Sequence, residues 1–150
     1  MKTDIDTPKF YEIFELCCES DLFVVTHAGF DPVSPDHIHA TPNMILSVIS
    51  AFPHLKLIAA HMGGFLLSKE VLEKLVGRNV WIDTSLSYLR PNEYNNLTKI
   101  LKEHDPDKIL FASDTPWSYQ TEELKFIYSA NLGDTTTEKI LYKNALNLLY

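Results

Sequence analysis

The 150-residue sequence predicts a parallel α/β fold, and three observations lead there. Short apolar runs alternate with stretches of helical periodicity, the pattern of successive βα units joined by right-handed crossovers. The first run, Leu22–Thr26, is continuously apolar up to its last residue, as in a strand buried on both faces. Three runs end in a residue able to bind a metal: Phe23–His27, Leu57–His61 and Ile109–Asp114. In parallel α/β folds the C-terminal edge of the sheet is where loops converge and chemistry sits. A fourth run, Val80–Asp83, also ends in a carboxylate.

The elements follow in order. A first helix begins at Thr7 with Pro8 at its first helical position. Phe10, Ile13, Phe14 and Cys17 form its apolar stripe. Strand Leu22–Thr26 and a Pro-rich loop lead to a helix capped by Thr41, with Pro42 next and Pro53 beyond its end. Met44, Ile45, Val48, Ile49 and Phe52 form its buried face. Strand Leu55–Ala60 leads through Gly63-Gly64 to a helix from Ser68 to Val76. Strand Val80–Ile82 precedes a helix over Glu93–Glu103, and strand Lys108–Ser113 precedes one over Thr121–Ala130. A last helix opens on Thr135 to Glu138, which reads as a capping box, and turns Ile140, Leu141, Ala145 and Leu148 inward. No composition shift divides the chain, so residues 1–150 read as one domain.

Bulk properties narrow the function. A net charge of −7 and a pI near 5.3, with no basic stripe, argue against nucleic acid as a partner. No apolar run is long enough to span a membrane. Met1–Lys9 has no apolar core of a secretory signal. Cys17 and Cys18 are adjacent on a helix, where their side chains diverge, so no disulfide is expected and the protein reads as reduced and cytoplasmic.

The strand-end residues carry the chemistry. His27-Ala28-Gly29 and His61-Met62-Gly63 share one form: strand, histidine, then glycine two positions on. Either histidine alone could be a satisfied polar residue at the core's edge, whereas two at equivalent edges point to metal or proton chemistry. The glycines of His61-Met62-Gly63-Gly64 would let the backbone turn sharply beside a ligand. Asp114 could cap a helix, but the next helix begins several residues later, which favours a metal ligand and general base. Asp83-Thr84-Ser85 reads either as catalytic or as a hydrogen-bonding cluster that orients its neighbours. Arg90 and Trp117 lie in loops of the same edge, where each could touch substrate or simply pack. His37 and His39 form a second-neighbour pair between Pro35 and Pro42, in a loop expected to fix metal geometry poorly. His54 and His104 read as solvated helix-end residues.

Taken together, His27-Ala28-Gly29, Phe52-Pro53, Leu57–Gly64, Asp83-Thr84-Ser85, Leu110–Asp114 with Pro116-Trp117, and Asn144-Ala145 with Leu148-Leu149 resemble the amidohydrolase-2 group. This is the branch of the metal-dependent TIM-barrel amidohydrolases that includes aminocarboxymuconate-semialdehyde decarboxylase and related non-oxidative decarboxylases. The resemblance implies a (βα)8 barrel with His27 as the strand-5 metal ligand. It makes His61 the strand-6 histidine, a metal ligand or catalytic acid/base. Asp114 becomes the strand-8 aspartate that binds metal and handles the proton, and zinc is the metal it implies.

One departure stands out: the family's His-x-His pair at the end of strand 1 has no counterpart. Phe10–Asp21 looks like the helix after strand 4, so the chain reads as the C-terminal half, strands 5–8. Complete barrels run to about 250 residues. A half barrel leaves strand edges open, which points to a homo-oligomer or a separate N-terminal half as partner. The expected activity is metal-dependent hydrolysis of a small-molecule amide, ester or lactone-like bond. The alternatives are metal-dependent non-oxidative decarboxylation and a truncated or split, non-catalytic fragment. A small doubly wound α/β sheet is the alternative fold.

Overall fold

A computed structural model describes residues 3–149. Among them four short strands, β1 (Phe23–Thr26), β2 (Lys56–Ala59), β3 (Trp81–Asp83) and β4 (Ile109–Leu110), form one parallel sheet in the order β1-β2-β3-β4. The register aligns Val25 with Ile58, Ile58 with Trp81, and Ile82 with Ile109. Helices α1 (Pro8–Glu19), α2 (Pro42–Ala51), α3 (Ser68–Lys74), α4 (Tyr94–Glu103) and α5 (Gln120–Ser129) alternate with the strands. The chain closes with α6 (Asp134–Glu138), a π-helical turn (Lys139–Lys143) and α7 (Asn144–Leu149).

The strand order decides between the two predicted architectures. A doubly wound sheet reverses direction at a switch point, so that helices cover both faces. Here every crossover steps the same way, and right-handed crossovers then place their helices on one face. The doubly wound alternative is therefore corrected to a half-barrel-like sheet. The burial pattern agrees. Leu57, Ala59, Ile82 and Ile109 join helix residues such as Phe14, Val48, Leu97 and Phe126 in one core, while Ile58, Ala60 and Leu110 are buried outside that cluster.

The prediction that the first strand is buried on both faces is wrong for the same reason. β1 lies at the sheet edge, and Phe23 and Val25 are 41% and 59% exposed on the face without helices. Ile13, assigned to the buried stripe of α1, is also exposed, whereas Phe14 on that helix is buried.

Several ends match their sequence signals. Thr41 accepts the Met44 N–H at 3.2 Å, and Pro42 opens α2. Others differ. Gly133, with φ of +80°, precedes α6, so the predicted cap at Thr135 lies inside that helix. The strand predicted over Lys108–Ser113 pairs by backbone only at Ile109–Leu110. Beyond it the Thr84 hydroxyl takes over the ladder, donating to Ala112 O and accepting from Ala112 N, both at 3.1 Å. On the other side Phe111 N donates to Ile140 O at 2.9 Å, a carbonyl of the π-helical turn. The buried Asn144 amide donates to Pro106 O at 2.7 Å and Ile109 O at 2.8 Å, fastening α7 to the start of β4. His104 is buried and not solvated as expected: its Nε2–H donates to Val80 O at 2.9 Å and its Nδ1 accepts from Gly77 N at 3.2 Å. Cys17 and Cys18 are unpaired.

Candidate active site

The loops after β1 and β2 are held together by backbone. Phe65 N donates to Ala28 O at 2.7 Å and Phe30 N to Phe65 O at 2.9 Å, making a parallel bridge between Gly29 and Phe65. The approach is so close that a Cβ on Gly29 would sit 2.2 Å from Phe65 N, and Gly29 has φ of +90°. Only glycine meets both conditions. This bridge brings the two strand-end histidines together edge to face, with ring centroids 4.7 Å apart.

Hydrogen-bond logic assigns their protons. The Ser85 hydroxyl donates to Asp83 Oδ1, so Ser85 Oγ accepts from His61 Nδ1–H at 2.7 Å. The lone pair of His61 Nε2 then points at His27 Nδ1, 3.0 Å away. His27 Nε2–H donates to Phe30 O at 3.1 Å, so a neutral His27 also presents a lone pair at Nδ1. Two lone pairs at this distance repel unless a cation lies between them, either a proton or a metal ion. Nitrogen donors sharing one ion through bonds of about 2.0–2.1 Å stand roughly 3 Å apart. The donor set therefore fits a divalent metal.

The backbone at these residues is unusual. His61, Met62 and Asp114 have φ of 58°, 60° and 63°, a region that non-glycine residues seldom adopt and that clusters at functional sites. The left-handed turn at His61 is braced from beneath. Asp83 Oδ1 accepts the backbone N–H groups of His61 and Ser85, each at 3.0 Å. Arg90 is 3% exposed and donates to Leu86 O and His61 O at 3.2 Å and to Gly64 O at 3.3 Å. Its guanidinium also lies over the Phe65 ring, 5.3 Å from the centroid. Burial works against the Arg90 charge, and Glu93 and Glu123 offset that cost. Burial likewise lowers the His61 pKa, with the Asp83 charge opposing, so His61 is neutral at pH 7.

Each sequence candidate now has a place. His27, His61, Asp83 and Asp114 line one open cleft with Val25 and Ser85, at the C-terminal edge of the sheet on the face without helices. His27 and His61 meet directly. The Asp114 carboxylate faces the same cleft but does not close with both histidines to within 4.8 Å. Arg90 lies under the His61 turn, and Trp117, 74% exposed, stands on the following loop outside the lining. Gly63 turns the backbone as expected, with φ of +80°, but its open side meets Ile82, Leu75 and Val71 in the core and not a ligand.

The sequence reading did not single out Glu123. It is fully buried, accepting Ser87 N at 3.1 Å, Tyr88 N at 3.2 Å and the Ser118 hydroxyl at 2.8 Å, so it ties the loop after β3 to the loop after β4. Burial raises its pKa, and the Ser118 hydrogen bond opposes the shift. Its signal was a glutamate at i−3 and i−4 from the buried Phe126 and Ile127, on the inward stripe of α5.

No curated protein matches the chain. Among solved structures, a TIM-barrel protein from Bordetella bronchiseptica aligns with TM-score 0.78 and 18% identity, over 98% of this chain and 52% of the other. A dihydroxybenzoic acid decarboxylase from Polaromonas sp. JS666, with bound manganese and the inhibitor 2-nitroresorcinol, aligns with TM-score 0.70 and 19% identity, over 97% and 55%. A probable 2-pyrone-4,6-dicarboxylic acid hydrolase from Acinetobacter baumannii aligns with TM-score 0.68 and 17% identity, over 99% and 60%. Further 2,6-dihydroxybenzoate and 5-carboxyvanillate decarboxylases recur among the matches. The chain thus spans little more than half the length of these structures, and the likeness shows a TIM-barrel-like fold. The amidohydrolase family model matches residues 2–149, and the chain belongs to that family.

Proposed function

We propose that this chain carries half of the active site of a metal-dependent decarboxylase acting on a small ring carboxylate. The observation that carries the reading is the His27–His61 pair, whose facing nitrogens stand 3.0 Å apart beside Asp114 at the sheet's C-terminal edge. Hydrolysis, the first expectation from sequence, uses the same kind of donors. The recurrence of decarboxylases among the structural neighbours favours the other reaction. Two neighbours with a named metal hold manganese, so zinc stays an expectation from resemblance alone.

In this reading His27 and His61 hold the ion, and Asp114 completes the set from across the cleft. An ion held there would supply positive charge that stabilises a substrate carboxylate. Decarboxylation then requires one proton on the ring carbon that bears the carboxylate. The C–C bond breaks, carbon dioxide leaves, and the electron pair stays with the ring. Asp114 would take this proton from water in the open cleft and pass it to the ring carbon, because it faces the cleft while His61 spends its Nδ1–H on Ser85. Asp83 and Ser85 keep His61 in one tautomer. Arg90 and Asp83 hold its backbone turn.

The exposed Phe23 and Val25 on the face without helices lead us to expect that further barrel strands cover it, from an N-terminal half or a second copy. The test is release of carbon dioxide from carboxyl-labelled hydroxybenzoates by the naturally expressed protein with Mn2+ or Zn2+. Loss of turnover by a factor of about 100 or more in both His27→Ala and Asp114→Asn supports the reading. Ring-opened products in place of carbon dioxide, or undiminished turnover in either variant, overturn it.

A further inference from the structure

We infer that Asp4, His37 and His39 form a second divalent-metal site, a structural clip of the zinc class that fastens the N-terminal segment to the loop between β1 and α2. Among the described residues this is the cluster whose three ligand atoms all lie within 4.8 Å of one another. His37 Nε2 stands 2.5 Å from Asp4 Oδ1, and His39 Nδ1 stands 3.5 Å from the same oxygen. The two rings pack with centroids 4.7 Å apart.

The two imidazoles, two positions apart in the loop, come together on the same side as Asp4. The loop was expected to fix geometry poorly, but backbone bonds hold it from both sides. Ile5 N donates to His39 O and Gly29 N to Ala40 O, each at 2.9 Å. Ile5 is itself buried in the core, so Asp4 has a rigid neighbour. The Thr7 hydroxyl donates to Asp4 O at 2.9 Å.

A histidine–aspartate ion pair alone leaves one fact unexplained. His39 Nδ1 is buried and makes no hydrogen bond, although it is directed at the cluster. Buried polar atoms seldom go without a partner, and an ion shared with Asp4 and His37 would supply one. Ser34 Oγ lies 3.4 Å from His39 Nε2, which leaves Nδ1 for the metal. Two imidazoles and one carboxylate suit zinc and its first-row neighbours. The three side chains are 30–36% exposed, which leaves room for water to complete the coordination. Asp4 and His37 are 33 positions apart, so the ion would close a loop that includes α1 and β1.

The test is a long-range proton–nitrogen NMR spectrum of the 15N-labelled protein at pH 7.5, titrated with ZnCl2. His37→Gln and His39→Gln assign the resonances. The expected result is that His37 Nε2 and His39 Nδ1 move to metal-bound positions and saturate. Asp4→Asn should weaken zinc at these two histidines by about tenfold or more, leaving the response of His27 and His61 unchanged. Immobile His37 and His39 nitrogens under excess zinc would overturn the assignment. So would zinc shifts that persist at the same concentration in Asp4→Asn, because the carboxylate would then be no ligand.

Discussion

Replacing Gly29 with alanine drives a methyl group into the backbone of the neighbouring loop. The new Cβ would stand 2.2 Å from Phe65 N and 2.4 Å from Phe65 O, both rigid main-chain atoms. The loops must part, and the Phe65–Ala28 and Phe30–Phe65 hydrogen bonds go with them. Each such bond contributes about 0.5–1.5 kcal/mol net. Holding a non-glycine residue at positive φ costs about 1–2 kcal/mol more. The sum is a loss of about 2–5 kcal/mol, a large part of a typical total stability. Gly77→Ala is the matched control: Gly77 has φ of +74°, but an added Cβ there meets nothing within 4 Å. It should lose only the conformational part, about 1–2 kcal/mol. Urea denaturation followed by circular dichroism, analysed with a common slope, measures both. Equal losses in the two variants, within about 0.5 kcal/mol, would refute the claim that close approach at Gly29 sets the spacing of the two histidines.

Arg90→Met removes a donor from the Leu86, His61 and Gly64 carbonyls and takes from Glu93 its ion-pair partner, leaving only the Ser68 N–H on that carboxylate, so it should cost about 3 kcal/mol or more in the same assay. Arg90→Lys should recover less than half, because an ammonium cannot span the same fork. Ser85→Ala should cost only about 1 kcal/mol but release His61 from its Nδ1–H tautomer, seen as a changed imidazole 15N shift. An unchanged shift would mean that Ser85 does not set the tautomer. Burial lowers the His104 pKa from its ordinary 6.5, with its Val80 hydrogen bond opposing, so the unfolded chain binds protons more readily. The stability that neutral His104 contributes is present above pH 6.5 and lost as pH falls below it. His104→Gln should therefore flatten stability between about pH 7 and pH 5, and an unchanged slope would contradict this.

The parts legible in sequence are those decided locally. Thr41 with Pro42 announced the start of α2, and the βα alternation announced the parallel sheet. The shared form of His27-Ala28-Gly29 and His61-Met62-Gly63 announced that two histidines would meet. What escaped depends on partners distant in sequence. Val25 is as apolar as Leu57, but only the strand order reveals that it lies on an edge strand and stays exposed among the described residues. His104 looks like a surface residue until Gly77 and Val80 are found against both ring nitrogens. Glu123 drew no notice in the sequence, yet three donors from two loops meet it in the interior. β4 ended early because the Thr84 side chain replaced a backbone partner, which apolar patterning does not record. His37 and His39 were visible as a pair, but Asp4 lies 33 positions before His37.

The most direct test of the central claim is an anomalous-scattering map from crystals grown with Mn2+ or Zn2+. The account predicts an ion about 2.0–2.2 Å from both His27 Nδ1 and His61 Nε2, with the Asp114 carboxylate drawn toward it. An ion bound elsewhere in the cleft, with His27 and His61 still hydrogen-bonded to each other, would contradict it.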